Sequence, residues 1–138
     1  MNLENVIGRL KRNEGFSSGI YEDTNGIPTI GYGFSMPYFD LTETEASLIL
    51  DRKVASVTDR AFNSFEWLFK MPDSVQEVVI EMCYQMGIRG FSRFKKTIKH
   101  LKAREFQNAS MEMLLSKWAR SDSKIRAERL AIIVSHAK

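Results

Sequence analysis

The sequence predicts an α+β fold, mostly helical, with one small antiparallel sheet close to the N-terminus. Two β-rich segments flank the dipeptide Asn25-Gly26, which is typical of a tight hairpin turn. Beyond Leu41, apolar residues recur at helical spacing between capping and stop signals. The chain has 138 residues, of which 43% are hydrophobic, so we expect one folded domain with its own core.

The N-terminal elements follow from local patterns. Apolar residues at i, i+3, i+4 and i+7 predict a helix from Leu3 to Glu14, and Gly15 supplies its end. The segments 17–23 and 26–34 are predicted to form the two strands of the hairpin.

The second strand is expected to have one nearly bare face, with a single hydroxyl beside two glycines. Such a face lets a ligand or another backbone approach closely, although the glycines could instead serve only a twist or a bulge. Because side chains alternate along a strand, the bare face is made of Thr29, Gly31 and Gly33, and the opposite face of Ile30, Tyr32 and Phe34.

The remainder of the chain is predicted to be helical. Thr42 and Glu45 form a capping-box pattern, which opens a helix that runs to about Ala61. A short apolar helix, FEWLFKM, is expected to stop near Pro72. The later helices are predicted over the approximate ranges 73–87, 92–102, 105–117 and 123–136.

Composition restricts the classes of function. The single cysteine, Cys83, lies in an apolar run and is interpreted as a buried thiol rather than a nucleophile. It shows no metal-ligand spacing with the two histidines, His100 and His136, so neither a metal nor another cofactor is expected. The charged N-terminus lacks the apolar segment of a signal peptide, and no stretch approaches the ~20 apolar residues of a membrane span. We therefore expect no stable membrane anchoring.

Two carboxylates beside the predicted sheet suggest acid–base chemistry. Glu14 ends the first helix, where the negative pole of the helix dipole favours the neutral carboxylic acid. Asp23 lies in the turn region after the first strand, where better solvation favours the ionised form. Two carboxyl groups in opposite environments are the usual equipment for glycoside hydrolysis, although acidic residues near turns are common.

Three segments of the chain carry sequence patterns that occur together in one known family. The first is the spacing Glu14-x8-Asp23-x5-Thr29, set within E-G, Y-x-D-T-x-G and T-I-G-Y-G. The other two are YQMGIRGFSRF, residues 84–94, and SKWARSDSKIRAERL, residues 116–130. Together the three segments span most of the chain, and in this order they resemble the T-even phage type lysozymes, which form glycoside hydrolase family 24.

The resemblance implies a single lysozyme-like domain over residues 1–138. Its N-terminal lobe, which contains the sheet, would cover about 14–41, and a linking helix would cover about 42–61. A helical C-terminal lobe would comprise about 62–138 together with the helix 3–14.

The resemblance also implies hydrolysis of the β-1,4 bond between N-acetylmuramic acid and N-acetylglucosamine in bacterial peptidoglycan. Glu14 would match the general acid and Asp23 the general base, which holds the attacking water together with Thr29. Inversion by single displacement needs carboxyl groups about 6.5–9.5 Å apart to admit that water. The bare strand face would then be the floor of the substrate cleft, with Gly31 and Gly33 beneath the sugar.

Further site positions follow from the same resemblance. Tyr84, Gln85 and Gly87 match the part of the C-terminal lobe that faces the cleft, and helix packing is the alternative explanation for them. Arg126 matches an arginine that pairs with the acid and orients it, with a plain surface charge as the alternative. Phe34, also assigned to substrate binding, stands where the family has a histidine, which predicts a less cationic surrounding for the acid.

The basic second half of the chain keeps a second class of function under consideration. The net charge is +3, and the helix RFKKTIKHLK places Lys95, Lys99 and Lys102 on one face that could contact phosphates. A DNA-binding module would leave the carboxylate spacing unexplained, so no nucleic-acid partner is expected. A protein that binds the cell wall without catalysis and a lytic transglycosylase are also compatible with the sequence.

Members of the resembled family are typically phage endolysins that reach the cell wall through a holin. We therefore expect a monomeric, bacteriolytic hydrolase that is made in the host cytoplasm and acts on the wall after such release. A bacterial toxin domain with the same fold would look similar in sequence.

Overall fold

The computed structural model describes residues 1–138 and confirms an α+β fold that is mostly helical, with one small antiparallel sheet. The chain forms two compact units, Met1–Ala46 and Ser47–Lys138. The helix over residues 3–14 belongs by its contacts to the first unit. The division into two lobes and a linking helix stays a prediction.

The first helix, α1, runs over Leu3–Glu14, as predicted. The Asn2 side chain caps it by accepting a hydrogen bond from the Glu4 N–H at 2.9 Å. The helix ends at Gly15, which has a φ of 70° and donates its N–H to the Lys11 carbonyl at 3.0 Å. Glu14 is therefore the last helical residue and stands beside the start of the sheet.

The sheet has three antiparallel strands in chain order: β1 (Ser17–Glu22), β2 (Pro28–Gly31) and β3 (Phe34–Ser35). The prediction of one continuous strand over 26–34 is wrong. Gly31 and Gly33 have φ angles of 71° and 74°, so the chain leaves the extended conformation there and turns back on itself.

This second turn changes which residues share a face. The register pairs Thr29 with Ser35 and Ile30 with Phe34. Cross-strand partners lie on the same face of an antiparallel sheet, so the Thr29 and Ser35 side chains project together. The predicted grouping of Thr29 with two strand glycines is therefore wrong, because Gly31 ends β2 with a left-handed backbone and Gly33 lies in the turn beyond it.

The capping box at the next helix is confirmed. The Thr42 N–H and hydroxyl donate to Glu45 Oε1 at 3.0 and 2.8 Å, and the Glu45 N–H donates back to Thr42 Oγ1 at 3.2 Å. The helix that follows, α2, covers Glu43–Ser64 and so extends three residues past the predicted end near Ala61. A single 3₁₀ turn, Met36–Tyr38, links the sheet to this region.

The second unit is built from helices around one apolar core. Among the fully buried side chains are Leu68, Val75 and Phe91. The helices after α2 are a 3₁₀ helix at Glu66–Lys70, α3 (Asp73–Ser92), α4 (Lys95–Lys102), α5 (Phe106–Leu115), a π-helical turn at Trp118–Asp122, and α6 (Lys124–Ser135).

Two details of this unit bear on the sequence predictions. Helix α3 breaks at Gly87, where φ is 80° and ψ is 164°, and a further helical segment continues to Ser92. The predicted helix end near Gly87 is confirmed, because the non-helical Gly87 separates two helical segments of α3. Cys83 is buried, as expected, and burial raises the pKa of its thiol to about 11.

None of the helices combines the length and apolar character needed to cross a membrane.

Candidate active site

Asp23 is held by the turn between β1 and β2. Its Oδ1 accepts hydrogen bonds from the N–H groups of Asn25 and Ile27 at 2.8 and 2.9 Å. Its backbone carbonyl accepts from the Gly26 N–H at 2.9 Å, which closes the turn. One carboxylate oxygen is thereby fixed to the backbone, while Oδ2 makes no hydrogen bond to the protein and remains able to accept one.

Ile27 joins the predicted base to Thr29. The Ile27 carbonyl accepts both the Asp23 N–H at 3.0 Å and the Thr29 hydroxyl at 2.8 Å. Because the Ile27 N–H also binds the Asp23 carboxylate, this one residue positions both side chains through its backbone. Because the Thr29 hydroxyl already donates its hydrogen to the Ile27 carbonyl, it can only accept further hydrogen bonds.

Glu14 lies against the turn between β2 and β3. A β-carbon added to Gly33 would sit 3.0 Å from the Glu14 Cδ and still closer to Oε2. Gly33 therefore serves two needs at once, since its φ of 74° favours glycine and its missing side chain leaves room for the carboxylate. The structure thus places Asp23 at one turn of the small sheet, Glu14 against the other turn, and Thr29 in the strand between them.

Aromatic contacts support the Gly31–Gly33 turn. The Tyr32 ring lies 5.5 Å from the Phe16 ring and 5.6 Å from Lys11 Nζ, which connects the turn to the last part of α1. On the other side, Phe34 stacks on Phe39 with ring centroids 5.7 Å apart. The contacts of Tyr32 thus link the turn to the end of α1, beside which Glu14 lies, while the Phe34–Phe39 stack links it to the segment after β3.

The expectation of an open strand floor is not met. Thr29 is only 4% exposed, and Gly31 faces the Phe34 ring, whose carbons lie 2.7 Å from where a Gly31 β-carbon would be. The Phe34 side chain therefore occupies the space that a bare face would have left open. Whether Gly31, Gly33 and Phe34 bind substrate stays a prediction.

Gln85, one of the predicted site residues of the second unit, is the centre of a short hydrogen-bonded chain. The Trp118 Nε1–H donates to Gln85 Oε1 at 3.1 Å, and Gln85 Nε2 donates to Ser123 Oγ at 2.7 Å. The Gln85 amide thus connects α3 to the segment before α6, and its remaining N–H is free for a ligand. Tyr84 is 44% exposed beside it.

Gly87 and Arg126 complete the predicted set. Gly87 forms the kink of α3, where an added β-carbon would meet no atom within 4 Å. Arg126 is exposed on α6. Its pairing with Glu14 stays a prediction, as do the substrate-binding roles of Tyr84, Gln85 and Gly87.

Sequence reasoning missed two features of the molecule. One is a cavity of about 800 Å³ in the second unit, lined by Trp118, Lys95 and Thr97 among others. The segment RFKKTIKHLK, which the sequence marks as a basic helix, supplies part of the lining of this cavity. The other is the role of Ile27, which acts through backbone groups and so leaves no mark on side-chain patterns.

Comparison with known proteins shows the family of the chain. The sequence model of the phage lysozyme family matches residues 11–133. Probable T4-type lysozyme 1 of Dictyostelium discoideum is 25% identical, over 84% of this chain and 85% of its own length. Probable T4-type lysozyme 2 of the same organism is 24% identical, over 79% and 81%. The chain therefore belongs to the phage lysozyme family of glycoside hydrolases.

Proposed function

We propose that the chain is a muramidase that hydrolyses the β-1,4 bond between N-acetylmuramic acid and N-acetylglucosamine in peptidoglycan, with inversion at the anomeric carbon. The observation that carries this proposal is the attachment of Asp23 and Thr29 to one residue, Ile27, beside a turn that receives Glu14. The two carboxyl groups proposed as general acid and general base, and the hydroxyl proposed to bind water, therefore lie on or beside one small sheet.

Each group has a part in single displacement. Glu14 protonates the oxygen of the leaving sugar as the glycosidic bond breaks. A water molecule attacks the anomeric carbon from the opposite side and gives a proton to Asp23 Oδ2, the carboxylate oxygen that the turn leaves free. Thr29 Oγ1 accepts the other hydrogen of that water, because its own proton is held by the Ile27 carbonyl.

The test is the release of soluble muropeptides from purified peptidoglycan. The wild type should generate new reducing ends, and NMR of the first product should show the α anomer that inversion requires. Glu14→Gln and Asp23→Asn should each reduce the rate by about 10³-fold or more, on the scale of lost acid–base catalysis. Asparagine keeps an oxygen for the two turn N–H groups, so the turn itself should survive this substitution.

Two outcomes would contradict the proposal. Products that end in 1,6-anhydromuramic acid would identify a lytic transglycosylase, in which no water attacks. A folded wild type that releases nothing from walls of several chemotypes would favour wall binding without catalysis.

For its biological role we propose a phage endolysin that lyses the host from within after holin release. The support is the family itself, since its description names phage lysozymes. Two relatives come from Dictyostelium discoideum, so family membership alone does not assign this role. Expression in a bacterial host with and without a holin tests it, because the proposal requires lysis only when the holin is present.

A further inference from the structure

Ser35 Oγ is the one buried side-chain nitrogen or oxygen atom of the chain that has no hydrogen-bond partner. Leaving such a group unpaired is unfavourable, and native proteins rarely do so without a reason. Ser35 ends the short strand β3 and is the N-cap residue of the 3₁₀ turn Met36–Tyr38, but its side chain makes no capping hydrogen bond there. Its hydroxyl is therefore available to bind a further group.

The register places this hydroxyl beside Thr29, the residue proposed to hold the attacking water. Ser35 is paired with Thr29 across β2 and β3, and both side chains lie on the same face. The β-carbons of such a pair are about 4.5–5.5 Å apart. A water molecule with hydrogen bonds of about 2.8 Å can bridge two hydroxyl groups at that separation.

The neighbouring groups include acceptors for a water molecule but no hydrogen-bond donor to it. Asp23 Oδ2 is an acceptor, and Thr29 Oγ1 can only accept because its proton is bound by Ile27. A water held by these two would donate both of its hydrogens. Its two lone pairs would then lack a donor to orient them, and Ser35 is the residue of this face with an uncommitted O–H.

We propose that Ser35 is a positioning residue, which donates a hydrogen bond to the attacking water and directs the second lone pair of that water toward the anomeric carbon. The inference rests on the proposed muramidase function. In the step itself the water oxygen bonds to the anomeric carbon and the glycosidic bond breaks. Asp23 takes the proton of the water, Glu14 supplies one to the leaving oxygen, and Ser35 keeps its own.

The first test compares Ser35→Ala, Ser35→Thr and Ser17→Ala in steady-state hydrolysis of soluble muropeptide oligomers. Ser35→Ala should lower kcat about 10–100-fold with KM unchanged, as expected for a group that acts on the water rather than on the sugar. Ser35→Thr keeps the hydroxyl and should recover most of the activity. Ser17 lies in β1 of the same sheet and bonds only to the Gly19 carbonyl, so Ser17→Ala should match the wild type.

A double-mutant cycle separates this role from a merely structural one. If Ser35 acts through the same water as Asp23, then Ser35→Ala should have no further effect on kcat in the Asp23→Asn background. Additive losses would show that Ser35 acts elsewhere. If Ser35→Ala does not fold, Ser35→Cys replaces it, since a thiol is a weak donor and should give the same loss.

The result that would overturn the inference is a Ser35→Ala enzyme with wild-type kcat and a raised Tm, because that is what removal of an unused buried hydroxyl would produce. Failure of the muramidase proposal looks different, since the wild type itself would then release no muropeptides.

Discussion

Gly33 offers the sharpest test of how Glu14 is positioned. Its φ of 74° is unfavourable for any residue with a side chain, and a β-carbon there would collide with the Glu14 carboxyl group. Gly26 is a matched control, because its φ of 76° is nearly the same while an added β-carbon would meet nothing within 4 Å. The variants Gly33→Ala and Gly26→Ala therefore share backbone strain and differ in the collision.

The expected losses of stability and of catalytic rate can be worked out separately. A left-handed conformation costs an alanine about 1–2 kcal/mol, so both variants should lose that much stability and melt lower by roughly 4 °C per kcal/mol. In Gly33→Ala the Glu14 Cδ must also move by several tenths of an ångström, since it lies 3.0 Å from the new carbon and ordinary contacts begin near 3.4 Å. Displacing a catalytic group by about 1 Å can reduce the rate about 100-fold.

We therefore expect Gly33→Ala to lose about 10–100-fold in kcat and Gly26→Ala to lose only a few-fold. The assay is muropeptide release at a temperature where circular dichroism shows both variants to be folded. Equal activity in the two variants, with equal losses in Tm, would refute the view that Glu14 works from its place against Gly33.

Three further predictions concern the scaffold. Hydrogen bonds from the backbone and the hydroxyl of Thr42 hold the pKa of Glu45 below its ordinary value of 4.5. The ionised Glu45 therefore stabilises the folded chain fully above pH 4.5, and this stabilisation is lost as the pH falls through the lower pKa of the folded state. NMR titration of Thr42→Ala should show the pKa of Glu45 moving upward, and an unchanged titration would contradict the capping box. Burial raises the pKa of Cys83 to about 11. The native thiol should therefore resist an aromatic disulfide reagent at pH 8 and react once urea unfolds the chain. Raising the pH from about 9 to 11 should also reduce the free energy of unfolding, because the unfolded thiol ionises first. Trp118→Phe removes the N–H that binds Gln85 and should cost about 1 kcal/mol, measured by urea denaturation; an unchanged midpoint would show that this hydrogen bond adds nothing.

The elements that were predicted well are those with local causes. The helix Leu3–Glu14 follows from its apolar spacing and from Gly15, and the Thr42–Glu45 capping box needs only the residues it contains. The turn at Asn25-Gly26 is equally local. Such signals can be read without knowing what the rest of the chain does.

The third strand was missed because its cause is not local. Alternation predicts a continuous strand from Pro28 to Phe34, and glycine is compatible with both an extended and a left-handed backbone. The left-handed conformation of Gly31 and Gly33 is stabilised by contacts from outside the turn, among them Phe16 on Tyr32 and Phe39 on Phe34. Those contacts depend on the tertiary structure.

The sequence by itself determined which functional groups the chain carries: a carboxylate at a helix end, a second one nine residues later, and a hydroxyl six residues after that. It also determined the helices, because capping and periodicity act within a few residues. Only the tertiary structure decided how the groups are held, with Asp23 and Thr29 fixed to the backbone of Ile27 and Glu14 set against Gly33. The physical reason is that backbone hydrogen bonds and the close approach of a side chain to glycine form only once the strands have paired. Neither of them produces a side-chain pattern that can be recognised in the sequence.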